Sequence, residues 1–141
     1  MSPQVNTNTL SRQIPQALIE TGRMQIQEFL NNVSGLEFVM LCSSDGFELA
    51  LASKKNLENS GKIAAVSSSI LAMVSAFISE INLIGCKTLS LNAENGHVVL
   101  TGVEHAHYPM LIIAVGSPDI LMGQMLYAIK KTSESLAQIH I

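Results

Sequence analysis

The stretch from Ile63 to Ile81 constrains this chain more than any other, because it reads as a helix with two unlike sides and has no charge between Lys62 and Glu80. At 100° per residue, Ile63, Val66, Ile70, Leu71, Met73, Val74, Phe77, Ile78 and Ile81 fill one broad arc. The opposite arc holds Ala64, Ala65, Ser68, Ser69, Ala72, Ser75, Ala76 and Ser79. The bulky arc is expected to pack on a sheet, with Phe77 in the core. The small arc needs a separate explanation, since a solvated helix face normally carries Lys, Glu, Gln or Arg. Small side chains let two helix axes approach closer than the usual ~8–10 Å. The favoured reading is contact with the same helix of a second copy across a two-fold axis. The competing reading is a plain Ala/Ser surface, or one covered by the chain's own loops.

The rest of the chain supplies the elements around this helix. Ser11 to Val33 reads as a first helix, with Pro15 near its start, a weakening Gly22 inside it and Gly35 just past its end. Leu36–Cys42 and Phe47–Ala52 read as a hairpin around the turn Ser43-Ser44-Asp45-Gly46. Asn59 or Ser60 caps the central helix, which Gly85 stops. Cys86–Ala93 and His97–Val103 form a second hairpin. Its Asn95-Gly96 pair suits a type I′ turn, setting Ala93 opposite Val98 and Leu91 opposite Leu100. Met110–Val115 is a continuous apolar strand. Ser117-Pro118-Asp119 then caps a last helix whose stripe is Met122, Met125, Leu126, Ile129 and Leu136.

The order is α-β-β-α-β-β-β-α, an α+β sandwich. Its five-stranded antiparallel sheet is expected to carry the middle helix on one face and the terminal helices on the other, with the first and fifth strands central. Residues 1–9 are expected to be a flexible tail and 10–141 a single domain. The third strand has no charge or proline from Thr88 to Asn92, so it is an edge that a second copy could pair with. The expected self-contact residues are therefore Ala65, Ser68, Ser69, Ala72, Ser75, Ala76 and Ser79 on the helix, with Thr88, Ser90 and Asn92 on the strand.

Composition agrees with a sticky surface. Hydrophobic residues make up 48% of the 141 and charged ones only 13%, about half the usual share. Net charge is −3 and the basic pairs Lys54–Lys55 and Lys130–Lys131 make no stripe, which argues against nucleic acid. The uncharged run is 17 residues with five serines, read as too short and too polar to insert in a membrane. Cys42 and Cys86 are expected to be free, buried thiols in a cytoplasmic protein.

The run Gly35-Leu36-Glu37-Phe38-Val39-Met40-Leu41-Cys42-Ser43-Ser44-Asp45-Gly46-Phe47-Glu48-Leu49-Ala50 resembles the opening hairpin of the Roadblock dynein-light-chain family. Ile63-Ala64-Ala65 is similar to the start of that family's middle helix. Met110–Val115 with Asp119-Ile120-Leu121-Met122-Gly123 is similar to its last strand and last helix. The likeness runs from about Gly35 to Leu136. It implies a Roadblock/profilin-like fold and dimers joined edge to edge through the third strand, with middle helices side by side. It also implies a Ras-like small GTPase as partner, whose GTP hydrolysis bacterial MglB-type members stimulate. The resemblance suggests a regulatory or scaffolding homodimer in the bacterial cytoplasm, tied to cell polarity or motility. The only arginines, Arg12 and Arg23, lie in the first helix, so no arginine finger is evident.

Other chemistry finds little footing. Neither GxxxxGK[ST] nor GxGxxG occurs, so no nucleotide cofactor is expected. No GxSxG elbow is present, and Ser67-Ser68-Ser69 lies mid-helix without a base, so the chain reads as a non-catalytic adaptor rather than an enzyme. Glu104-His105-Ala106-His107 is the one tempting metal set, but it reads as an exposed connector and no metal is expected. Tyr108, beside Pro109, is either a loop anchor or partner surface. The alternative function is a ligand-sensing α/β domain holding a small molecule between helix and sheet; the inward Ile, Val and Leu predict a filled core instead.

Overall fold

A computed structural model describes residues 14–85 and 87–140. The tail at 1–9, the expected helix start at Ser11, Arg12 and Cys86 lie outside the described residues. Helix α1 runs Gln16–Asn32, strand β1 Leu36–Ser43, β2 Glu48–Ser53, helix α2 Ser60–Glu80, β3 Thr88–Ala93, β4 Gly96–Val103, β5 Met110–Gly116 and helix α3 Met122–Ala137. The strands form one sheet in the order β2-β1-β5-β4-β3, antiparallel at every step. β5 and β1 lie inside it, as their largely apolar runs, broken in β1 only by exposed Glu37 and terminal Ser43, require.

The pleat divides the apolar residues into two layers. Val39, Leu41, Val99, Ile112 and Ala114 face α1 and α3, which bury Leu18, Ile26, Phe29, Met125, Ile129 and Leu136 against them. Met40, Cys42, Leu100, Leu111 and Ile113 face α2. Gly22 has a packing role in α1. A Cβ there would stand 2.5 Å from Leu41 Cδ2, so any side chain at this position would require the Leu41 methyl or the helix to shift. Past α1, Gly35 turns the chain at φ +94°, a conformation that strains other residues.

Two boundaries differ from expectation. The β3–β4 turn centres on Glu94 and Asn95, pairing Ala93 with Gly96 and Leu91 with Val98. Neither turn residue has a positive φ, so the turn is not type I′. Gly96 is spent inside the ladder, where a Cβ would be 2.8 Å from the Gly116 carbonyl oxygen. The register moves by two residues, which preserves which side chains share a face. The last helix begins at Met122 rather than beside Ser117. The Ile120 amide donates to the Ser117 carbonyl, closing a turn that buries Ile120 against Gly35 and Gly116. Leu126, placed in the buried stripe of that helix by its spacing, is exposed.

Candidate protein–protein interface

Helix α2 rests on the sheet by a narrow edge. Its only buried residues are Ala64 and Ser67; Ile63, Ile70, Leu71, Val74 and Ile78 are half-buried. Ala64, expected on the outward arc, is instead the point of closest packing. Val66, Met73, Phe77 and Ile81, expected against the sheet, are exposed, Met73 by 65% and Phe77 by 61%. Small side chains at Ala64 and Ser67 rotate the seat of the helix toward themselves, and the far flank of the bulky arc is carried out of the core. By the 100° spacing, Val66, Met73 and Phe77 then form one continuous outward ridge.

The Ala/Ser side divides in two. Ser68 is half-buried and its Oγ donates to the Ser44 carbonyl at 2.7 Å. Beside it a Cβ on Gly46 (φ +97°) would stand 3.2 Å from Ala65 Cα. The β1–β2 turn therefore already leans on Ala65 and Ser68. Ser69, Ala72, Ser75, Ala76 and Ser79 are less enclosed, with Ser69, Ala72, Ala76 and Ser79 arrayed beside the ridge.

β3 is the outermost strand on its side of the sheet. Its polar residues point toward the α1–α3 face: Thr88 Oγ1 meets Thr101 Oγ1 at 3.2 Å, Ser90 lies opposite buried Val99, and His97 Nδ1 lies 2.8 Å from Asn92 Oδ1. The alternate residues Leu89 and Leu91, opposite Leu100 and Val98, point to the α2 face, and Leu91 is 41% exposed. Leu89 and Leu91 are absent from the sequence-based set of contact residues, although strict alternation around Ser90 carries the signal. The opposite edge, β2, is guarded. It starts at Glu48, is followed by Lys54 and Lys55, and shifts register against β1 between Leu41 and Cys42.

Between helix and strand, Asn82 (φ +62°) and Gly85 (φ +69°) bend the chain so that Ile81, Leu83 and Ile84 all stand exposed, Ile84 by 98%. Eleven large apolar residues are exposed among the described residues, and seven of them fall from Val66 to Leu91. Concentration of that kind, on one helix, its exit and one charge-free strand, makes this region the candidate interaction surface. By length and composition α2, at 21 residues, could cross a membrane, contrary to the sequence reading; here its inner edge is packed on the sheet.

The histidine segment is not arranged for a metal. His105 is buried; its Nε2 lies 2.7 Å from the Ile139 carbonyl oxygen, and its Nδ1 accepts the amides of His107 and Tyr108. No group of three potential ligands converges among the described residues. Tyr108 packs half-buried on the α1–α3 core, a loop anchor. Cys42 is a free, buried thiol whose pKa is pushed up to about 12 by burial and, less, by Glu48. An open groove of about 510 Å³ lies between α1 and α3, lined by Phe29, Val33, Tyr127 and Ala128 under a polar rim.

Residues 24–114 match the model of the Roadblock/LC7 domain. No curated protein matches the chain. Among solved structures, the gliding protein MglB from Thermus thermophilus superposes with a TM-score of 0.78 at 16% identity, covering 89% of this chain and 92% of that one. MglB from Myxococcus xanthus gives 0.78 at 11% identity, with 89% and 91% covered. A Roadblock/LC7 domain from Streptomyces avermitilis gives 0.72 at 9% identity, with 81% and 92% covered.

Proposed function

The chain belongs to the Roadblock/LC7 family, and on that premise we propose that it is a homodimeric regulatory or scaffolding protein for a Ras-like small GTPase. One observation carries the dimer: the ridge Val66–Met73–Phe77 and the uncharged edge of β3 both belong to one exposed, apolar region of the molecule. A two-fold axis there sets α2 beside its twin and lets β3 pair with β3, covering both at once. Side chains at the helix seam are Met73, Phe77, Ala72, Ala76, Ser69, Ser75 and Ser79, with Leu89 and Leu91 beneath them. Ala65 and Ser68 sit at its margin, and Thr88, Ser90 and Asn92 contribute through the strand's backbone edge.

The GTPase half of the proposal leans on the family and on the likeness to MglB structures, which also favours a bacterial, cytoplasmic setting. The dimer acts on its partner by contact, and hydrolysis stays with the GTPase's own residues. Light scattering on the purified protein is expected to give twice 15.2 kDa, and Met73→Arg with Ala72→Arg to return it to a monomer. GTP turnover by a Ras-like GTPase encoded beside this chain is expected to rise with the dimer and not with the monomeric variant. A monomeric wild type sinks the first claim; unchanged turnover together with no co-purification sinks the second.

A further inference from the structure

His105 occupies a position that a loop connector does not need. It is buried at the start of the β4–β5 loop, and each ring nitrogen is committed to a different segment. Nδ1 lies 3.2 Å from the His107 amide and 3.1 Å from the Tyr108 amide. Both are donors, so Nδ1 must be the bare, accepting nitrogen. Nε2 lies 2.7 Å from the carbonyl oxygen of Ile139, 34 residues further along, and a carbonyl only accepts, so Nε2 carries the hydrogen. One tautomer of the neutral ring satisfies all three partners; the other tautomer and the cation each turn a hydrogen on Nδ1 against two N–H groups. Tyr108 closes over the ring at 5.5 Å between centroids.

The segment held in this way lies just past the last helix. Beyond α3 the Gln138 and Ile139 amides bond back to the Ser135 and Leu136 carbonyls, and the Ile139 side chain rests half-buried on the α1–α3 core. We propose that His105 is a tautomer-locked latch: through Nε2 it straps the turn at 138–140 to the β4–β5 loop, and through Nδ1 it holds that loop in the shape that receives the strap. The strap fixes the last turn of α3, including Ser135 on the wall of the α1–α3 groove. This inference does not depend on dimerisation or on a GTPase.

Two substitutions separate the halves of the latch. In His105→Asn the amide oxygen stands where Nδ1 was and the reach to Ile139 is lost; in His105→Gln the amide nitrogen reaches toward Ile139 and the acceptor for the loop is lost. Amide hydrogen exchange is expected to quicken roughly tenfold or more at Gln138 and Ile139 in the Asn variant with His107 and Tyr108 little changed, and the reverse in the Gln variant. Equal responses in both variants, or none, overturn the latch. Where either variant fails to fold, nitrogen-15 spectra of the wild-type imidazole decide alone: a bare Nδ1 and protonated Nε2 at His105 support it, and a proton on Nδ1 overturns it.

Discussion

The two faces of the sheet are both apolar, yet they are finished differently. On one face, α1 and α3 together bury Leu18, Ile26, Phe29, Leu30, Met125, Ile129 and Leu136. On the other, α2 alone covers the sheet and buries only Ala64 and Ser67. Two helices on a five-stranded sheet fill their layer, while one helix leaves the strip over β3 bare. The difference teaches that hydrophobicity in this chain is divided between a filled inner layer and an exposed, outward-facing region.

That contrast can be broken most forcefully on the finished side. Ile129→Ala is expected to lower folding stability by about 2–5 kcal/mol, read by urea denaturation, because the two-helix layer leaves no neighbour free to collapse into the hole. Next in size is the alkaline limb from Cys42, which lies in the α2 layer. Its thiol resists ionisation in the fold up to about 12 against an ordinary 9.0. The unfolded chain therefore loses that proton first, and stability is complete below pH 9 and drains away between 9 and 12. The loss is on the order of 4 kcal/mol at the upper end, and Cys42→Ala is expected to flatten that limb; an unchanged slope would mean that the α2 layer is wet around Cys42. Gly22→Ala is expected to cost about 1–3 kcal/mol by pushing Leu41 or the helix away, again by urea denaturation. Phe77→Ser has the least effect on the fold itself, within about 0.5 kcal/mol at concentrations too dilute for association. A loss of several kcal/mol in that dilute measurement would show that Phe77 belongs to the core and erase the distinction between the faces.

Much of this is legible in the sequence, and the misses have physical causes. Element order, the central place of β1 and β5 and the division of helices between faces follow from apolar runs and from turn residues such as Gly35 and Gly46. Helical spacing finds two unlike sides on α2 but does not say which apolar residues meet the chain's own sheet, since burial on self and burial on a neighbour ask for the same side chains. Spacing alone therefore turns Phe77 and Met73 inward and Ala64 outward. The β3–β4 register slips for another reason. Asn95-Gly96 matches a common turn rule, but Gly96 answers to the crowding of Gly116 across the ladder, a long-range demand no local rule contains. His105 reads as solvent-exposed because its partner, Ile139, is distant in sequence.

The unlike strand edges also bear on how large an assembly can grow. Should β3 meet its twin, the joined sheet would present β2 at both ends, each irregular where it meets Leu41 and Cys42 and bracketed by Glu48 and Lys54. No unprotected rim would then be left for a third chain to extend the sheet, and growth of the joined sheet into fibrils would be turned away at both ends.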